Sequence, residues 1–285
     1  MTQTRHTKMN RALQKSLFIA LICGLQLSLL PAKYICAEGA KGFWCSTSKM
    51  GIGTYYAHYK HPKINHFGGH LSVSSLYWKE RFSIGADISG GLGEQKISSD
   101  FFDSAPKNSF GGFLGFGLYS GVNLGDFLKN EIQNPFILHF STSFHFDNYG
   151  LRNNMPDTLF FTLGAGLSSI KTIDKFSLEY SLNYGYVVYG SYRFIERKNP
   201  NSLAISRRSE STIGHNSHEA KASLAITYNS FYARLSCIYR FLDDSKEVWV
   251  KKFSTDSATY RLGYPHTHNL ITMLEVGYSF GEFGK

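Results

Sequence analysis

The sequence predicts an all-β protein: a single antiparallel transmembrane β-barrel of about ten strands, with eight to twelve possible, after an N-terminal signal peptide. Three observations predict this class. Segments of about 10–14 residues alternate apolar with small or polar side chains, which is the two-residue period of a β-strand. These segments exceed the roughly 5–6 residues usual in soluble sheets. Tight turns also alternate with longer polar loops between them, as in membrane barrels.

The composition is that of a folded, β-rich chain. Of the 285 residues, 42% are hydrophobic, 15% aromatic and 18% charged, which is too apolar for intrinsic disorder. The formal net charge is +9, but five of the basic residues precede residue 38 and no acidic residue does. The rest of the chain is only mildly basic and lacks the motifs of nucleic-acid-binding proteins. We therefore expect no nucleic-acid partner, and no feature of the sequence calls for a cofactor.

Residues 1–37 are predicted to be a cleaved signal peptide, followed by the barrel over residues 38–285. Arg11 and Lys15 precede an apolar stretch from Leu17 to Leu30, which is too short to span a bilayer comfortably and fits the core of a signal peptide. Small residues follow, and the predicted cleavage point is after Ala37. Such a leader before a barrel predicts export to the outer membrane of a Gram-negative bacterium.

Ten segments show the strand alternation. In residues 81–93, Phe82, Ile84 and Ile88 point one way, and small or polar residues point the other. The opposite, non-apolar faces of the strands carry charged residues, namely Asp87, Glu179, Lys221, Arg234 and Arg240. A hydrated barrel interior accommodates such charges, whereas the dry core of a soluble β-sandwich, the alternative fold, would leave them unpaired. The predicted strands are residues 50–59, 67–78, 81–93, 110–124, 136–147, 159–169, 176–189, 219–228, 231–241 and 269–280.

Two cysteines follow the predicted signal peptide, Cys45 and Cys237. A disulfide would be allowed in an exported protein. The predicted strand order places the two residues on strands that are not neighbours. The sequence therefore predicts two free thiols.

The last predicted strand alternates without a break from Leu270 to Phe280. It resembles the C-terminal signature of bacterial outer-membrane β-barrel proteins, an apolar alternation that ends in an aromatic residue and is read by the barrel-assembly machinery. The five residues after Phe280 depart from that pattern. The resemblance implies insertion by that machinery and contact with outer-membrane lipids and lipopolysaccharide. It extends to the architecture of the barrel and to no particular family.

Hydrolysis is one function found on such barrels. Ten-stranded outer-membrane proteases pair two aspartates with an Asp–His pair, and neither Asp-x-Asp nor Asp-x-His occurs in this sequence. Lipid A deacylases and outer-membrane phospholipases use a His–Ser pair in which the imidazole activates the hydroxyl. His139 and Ser141 have that spacing, but the residues around them do not match those families. Hydrogen bonding in the lumen is the competing interpretation, and an enzyme is the less favoured one.

Two groups of side chains at the outer rim are candidates for binding. Neutral imidazoles that lie together bind Zn²⁺, Ni²⁺ or Cu²⁺, although exposed histidines without a function are the simpler interpretation. The histidines predicted around the seam between the first and last strands are His58, His61, His66, His70, His266 and His268. The fourth outer loop, residues 190–218, has a basic patch of Arg193, Arg197, Lys198, Arg207 and Arg208. Guanidinium groups suit phosphate, so this patch is predicted to bind lipopolysaccharide or an acidic host glycan, against the alternative of a solvated loop.

Together these features predict a surface protein that serves membrane integrity, adhesion or surface binding through its external loops. A narrow, porin-like channel for small solutes or ions is the second prediction. Barrels of about eight strands are filled by side chains and those of sixteen enclose a channel, so ten strands lie near the filled end. A barrel hydrolase, such as a lipid A deacylase or an outer-membrane protease, is the third.

Overall fold

The computed structural model describes residues 35–39, 42–60, 63–79, 81–98, 108–125, 134–148, 157–173, 175–198, 205–251, 253–255 and 257–280. Residues 1–34 and 281–285 lie outside this part, whereas residues 35–37 of the predicted signal peptide lie within it. The signal peptide, its cleavage point and the C-terminal tail stay predictions. Among the described residues, no helix is long and apolar enough to cross a membrane. The strands are β1 (Ile35–Gly39), β2 (Gly42–Tyr59), β3 (Ile64–Lys79), β4 (Phe82–Ile97), β5 (Asn108–Asn123), β6 (Phe136–Asn148), β7 (Asp157–Ile173), β8 (Phe176–Arg197), β9 (Ile205–Thr212), β10 (His218–Tyr228), β11 (Phe231–Leu242), β12 (Val248–Val250), β13 (Tyr260–Leu262) and β14 (Thr267–Phe280).

Ten of these strands close into one antiparallel barrel, which confirms the predicted strand number. The order around the barrel is β2-β14-β11-β10-β8-β7-β6-β5-β4-β3, and the pairing of β2 with β3 closes the ring. Asp147 on β6 pairs directly with Thr158 on β7. Following the paired residues from Asp147 around the barrel in the other direction leads to Ile170 on β7, which is twelve residues after Thr158. Such an offset inclines the strands to the barrel axis, typically by about 35–45°.

Side chains alternate between the outer wall of the barrel and its interior. On β4, Phe82, Ile84 and Ile88 are 71%, 61% and 51% exposed, whereas Ser83 is 6% exposed. Exposed apolar side chains occur on all ten barrel strands. A wall that is apolar on every side is unfavourable in water and favourable against acyl chains, so it indicates a transmembrane barrel.

The inner end of the barrel carries turns that the sequence predicts. Only Asn229 and Ser230 join β10 to β11. Asn229 has a φ of 53°, a left-handed conformation that asparagine tolerates better than most residues. The turn between β3 and β4 is equally short. Each of these two turns therefore reverses the chain with only two residues between the strands.

The outer end differs from the prediction. β8 continues to Arg197 instead of ending at residue 189, because β9 pairs with it from Ser191 opposite Thr212 to Arg197 opposite Ile205. The loop predicted over residues 190–218 therefore contains a strand, and the last outer segment contains the β12–β13 hairpin. Only four residues, 60–63, separate β2 from β3 in the first outer connection.

The cysteine prediction is half right. Cys237 is free, but Cys45 is disulfide-bonded, so the predicted free thiol at Cys45 is wrong. The sequence analysis contained no strand before β2. β1 pairs with β2 and places the backbone of Cys36 directly opposite Cys45.

Close approach of β3 and β4 depends on a pair of glycines. Gly68 lies opposite Gly93, and a Cβ atom on Gly93 would lie 2.1 Å from the Phe67 carbonyl oxygen and 2.5 Å from the Gly68 Cα. Gly93→Val is expected to lower the free energy of unfolding by at least about 1–3 kcal/mol, because the backbone has to move. Urea titration in detergent micelles measures this. At Gly90, on the same strand, a Cβ would meet nothing closer than 3.5 Å, so equal losses for Gly90→Val and Gly93→Val would contradict the explanation.

Candidate functional site

The interior of the barrel contains a cavity of about 250 Å³, which we call the chamber. Serine side chains form much of its wall. The charged residues of the wall come from six strands and comprise three cations and three carboxylates: Lys49, Lys221, Arg234, Asp87, Glu179 and Glu275. The charged residues that the sequence analysis assigned to the non-apolar face therefore lie inside the barrel, as predicted.

Five of the six charged groups of the chamber form ion pairs, and the sixth, Asp87, accepts a hydrogen bond from the Tyr119 hydroxyl. The Lys49 ammonium group donates to the Glu179 carboxylate across the three strands that separate β2 from β8. The Glu275 carboxylate accepts a hydrogen bond from Ser72 Oγ at 2.7 Å and lies 3.1 Å from an Arg234 guanidinium nitrogen. Pairing offsets much of the cost of removing these charges from bulk water. The interior is thus a polar, compensated surface that suits water better than apolar groups.

Asp147 connects four strands at the outer end of the lumen. Its Oδ1 accepts from the Tyr59 hydroxyl at 2.8 Å, and its Oδ2 accepts from the Thr158 hydroxyl at 3.0 Å. The His145 imidazole lies 2.9 Å from Oδ1, and Arg240 Nη1 lies 3.9 Å from Oδ2. Because β2 and β11 lie across the lumen from the neighbouring strands β6 and β7, these contacts cross the interior of the barrel.

Arg240 completes this end. Its Nε and Nη2 donate to Glu219 Oε2 at 2.8 and 2.5 Å, and its guanidinium carbon lies 4.4 Å from the centre of the Phe160 ring. The side chains of Arg240, Glu219 and Asp147 are each at most 2% exposed. We call the set of Tyr59, Asp147, Phe160, Glu219 and Arg240 the outer closure.

Apolar side chains close the opposite end. Trp78, Ile137 and Ile170 pack together with Cys45, and none is more than 3% exposed. Ile137 and Ile170 also line the chamber, so this cluster borders the chamber on its inner side. We call these four residues the inner closure. The chamber thus lies between the outer closure and the inner closure.

Outside the barrel, the end of β8, β9 and residues 243–264 form what we call the external layer. The backbone continues the pairing beyond β9, since Ile213 bridges to Ser245 and Lys246 N donates to the Thr212 carbonyl at 2.8 Å. The β12–β13 hairpin follows. The described parts of the two outer segments that follow β8 and β11 therefore contain paired strands.

The external layer has an apolar core of its own. Tyr192, Phe194 and Tyr264 are each at most 3% exposed and pack with Leu242 and Phe160 at the barrel mouth. Burial raises the pKa of Tyr192 and of Tyr264, so both hydroxyls stay neutral. This core fixes the external layer on the outer closure.

The predicted basic patch lies on this layer, on β8, on β9 and directly after β8: Arg193, Arg197, Lys198, Arg207 and Arg208. Arg193 lies opposite Glu210 across the β8–β9 pair. Arg207 and Arg208 are exposed. None of the ion pairs formed by the described residues involves Arg207 or Arg208. The side chain of Arg197 lies outside the described part.

His139 and Ser141 face the lumen from β6 and are 6% and 9% exposed. The Asn183 side chain lies between them, because its Nδ2 donates to Ser141 Oγ at 2.6 Å and lies 3.4 Å from His139 Nε2. No hydrogen bond recorded for the described residues joins the imidazole to the Ser141 hydroxyl. A general base has to reach the proton that it removes, so this geometry favours the alternative interpretation of a lumen hydrogen-bond network.

The predicted histidine cluster is not assembled among the described residues. His58 is exposed and lies 2.7 Å from the Asn65 side chain, whereas His66 and His70 are at most 4% exposed inside the barrel. Strand alternation separates them, since even-numbered residues face outward on β2 and inward on β3. The described residues contain no group of three or more His, Cys, Asp or Glu side chains placed to hold a metal. The other histidines lie beside Asp244 (His266), beside Tyr239 (His268) or outside the described part (His61).

The sequence pattern does not predict the outer closure. Its signal was partly visible, because the alternation of residues 136–147 already places His145 and Asp147 on the lumen face. Neither residue was singled out, since the spacing His-x-Asp on one strand says nothing about partners on other strands. Arg240 and Glu219 meet Asp147 only through the register of the closed barrel.

The fold is similar to that of known outer-membrane barrels. The crystal structure of outer membrane protease OmpT from Escherichia coli matches with a TM-score of 0.50 and 12% identity, over 82% of this chain and 96% of that chain. Ail, the attachment invasion locus protein of Yersinia pestis, matches with a TM-score of 0.28 and 12% identity, over 82% and 99%. The P. putida toluene transporter TodX matches with a TM-score of 0.30 and 9% identity, over 85% and 90%. At such identities the likeness concerns the fold, not the activity. No protein-family model and no curated protein matches the sequence.

Proposed function

We propose that this chain is a bacterial outer-membrane protein that binds anionic saccharides at the cell surface through its external layer. The apolar wall of the barrel and the fold that it has in common with outer-membrane barrels support the location. The external layer supports the role, because a paired and packed layer holds side chains in place better than an open loop does.

The observation that carries this proposal is the pair Arg207 and Arg208. Both are exposed on β9, and neither takes part in an ion pair among the described residues. A guanidinium group donates two parallel hydrogen bonds to a phosphate or a sulfate. Phosphate occurs on lipopolysaccharide and sulfate on host glycans, so both sources present the same chemistry to β9.

The lumen supports surface binding over the two other functions. A hydrolase would need an accessible nucleophile with its base in reach, and His139 and Ser141 are buried beside Asn183. A channel that is permanently open would need a continuous path, and the outer and inner closures interrupt it. Binding at the surface requires neither.

Arg207→Ala/Arg208→Ala is expected to weaken binding to heparin and to lipopolysaccharide by at least about tenfold, since hydrogen bonds to charged groups contribute roughly 1.5–3 kcal/mol each. Binding of the detergent-solubilised protein to each immobilised ligand at physiological salt measures this. The two ligands distinguish the sources, because heparin carries sulfate and lipopolysaccharide carries phosphate.

The matched control is Lys171→Ala/Lys175→Ala, which removes the same charge from exposed positions at the inner end of the barrel. Its binding should equal that of the unchanged protein. Equal losses in both double variants would mean that net charge, not the β9 site, determines binding. Failure of the unchanged protein to be retained on either ligand would refute the proposal.

A further inference from the structure

We infer that the lumen is a gated channel for small ions, closed at two points and hydrated between them. The chamber lies between the outer and inner closures. Among the described residues, each closure is a layer of side chains rather than a folded plug of backbone. Separation of the two layers would join the chamber to the water on both sides of the membrane.

The chemistry of the chamber favours conduction over mere filling of space. A lumen that needs only to be filled can be packed with apolar side chains. Here the wall carries serines and six charged groups around a cavity of about 250 Å³. Its three cations and three carboxylates balance, so the channel should discriminate only weakly between anions and cations.

The inner closure has the character of a hydrophobic gate. Trp78, Ile137 and Ile170 present no charge to the lumen, and such constrictions block ions by excluding water. Ile137 and Ile170 contact the chamber directly. A rotation of these side chains away from the lumen axis, without a change in the strands, would therefore suffice to wet this end.

The outer closure can open without leaving a carboxylate unpaired. Arg240 donates to Glu219 through Oε2, whereas Lys221 Nζ lies 3.1 Å from Oε1 of the same carboxylate. Lys221 lines the chamber. When Arg240 moves away, Glu219 keeps Lys221 as its partner, and Asp147 keeps the Tyr59 hydroxyl. This exchange lowers the cost of opening, because an isolated buried charge is avoided.

Current in KCl across planar bilayers tests the inference with variants that open each end. The outer variant is Arg240→Ala/Glu219→Gln/Asp147→Asn, which removes the cation together with the charges of its two partners. The inner variant is Trp78→Ala, with Ile170→Ala as the substitute if Trp78→Ala does not fold. Heat-modifiable mobility on a denaturing gel establishes that each protein is folded before its current is measured.

We expect rare, brief openings for the unchanged protein, and for the combined variant a steady current on the order of tenfold larger, because both constrictions are removed. Each variant opened at one end should conduct less than the combined variant. A reversal potential near zero in a KCl gradient would agree with the balanced chamber. Lys171→Ala/Lys175→Ala, at two exposed positions outside the lumen, serves as control and should leave the current unchanged.

Three results would overturn the inference. One is a folded combined variant that conducts no more than the unchanged protein, since the chamber would then not be part of an ion path. The second is a steady current through the unchanged protein, which would show that the closures do not seal the lumen. The third is the absence of any opening of the unchanged protein, which would show that the closures are fixed and do not act as gates. None of these results depends on whether the external layer binds saccharides.

Discussion

Arg240→Ala is expected to lower the free energy of unfolding by about 3–5 kcal/mol, the usual loss when one partner of a buried ion pair is removed. The Arg240 side chain is 1% exposed, and it donates to Glu219 and lies beside Asp147. Without it, Glu219 retains Lys221 and Asp147 retains His145 with two hydroxyl donors, but both buried carboxylates lose their guanidinium partner. Guanidinium chloride titration in detergent micelles, followed by the heat-modifiable band, measures the change.

The control for this prediction is Arg208→Ala, an exposed arginine of the external layer. Its effect should stay within about 0.5 kcal/mol, as is usual for surface positions. Adding Glu219→Gln to Arg240→Ala should recover part of the loss, because the two residues are coupled. An unfolding midpoint of Arg240→Ala equal to that of the unchanged protein would exclude Arg240 as the centre of the outer closure.

Phe140→Arg is expected to cost about 2–4 kcal/mol, the penalty for a basic residue on the lipid face near the bilayer midplane. Phe140 is 77% exposed near the middle of β6, between Ser120 on β5 and Ala165 on β7. In water an exposed Phe→Arg change is neutral or favourable. The sign of the effect therefore tells whether lipid or water surrounds the wall. Folding into lipid vesicles across a guanidinium series measures it.

Two further substitutions serve as comparisons for Phe140→Arg. Phe82 lies at the start of β4. Phe82→Arg should therefore cost only about 0–1 kcal/mol, because the penalty for a basic residue on the lipid face falls near the interfaces. Trp249→Arg replaces a residue that is 61% exposed in the external layer, beyond the bilayer, and should cost little. If all three substitutions had equal effects, or if the protein stayed folded and monomeric in buffer without detergent, the transmembrane interpretation would be untenable.

Much of the barrel follows from local pattern. The alternation around Phe82, Ile84 and Ile88 predicts which face of β4 meets lipid, and the structure agrees. The same period places Arg240 and Glu179 inside. Strand number also follows, because each crossing needs its own apolar stripe and each stripe is bounded by turn residues.

The external layer is not predicted by the two-residue alternation. β9 contains Arg207, Arg208 and Glu210, and this polar composition predicts a loop. It becomes a strand because β8 extends past the barrel and offers a free edge. The core around Tyr192 and Tyr264 then fixes it. These contacts join segments that are remote in sequence, so no local window contains them.

The sequence by itself determined which side chains face lipid and which face the lumen, because that property depends on a two-residue period within one strand. The histidines show the limit of that information, since His58 and His66 are close in the chain but lie on opposite sides of the wall. Only the tertiary structure decided that Asp147 meets Arg240 and that a chamber remains below them. The position of a side chain along the barrel axis depends on the register of all ten strands together, and that register is set when the barrel closes.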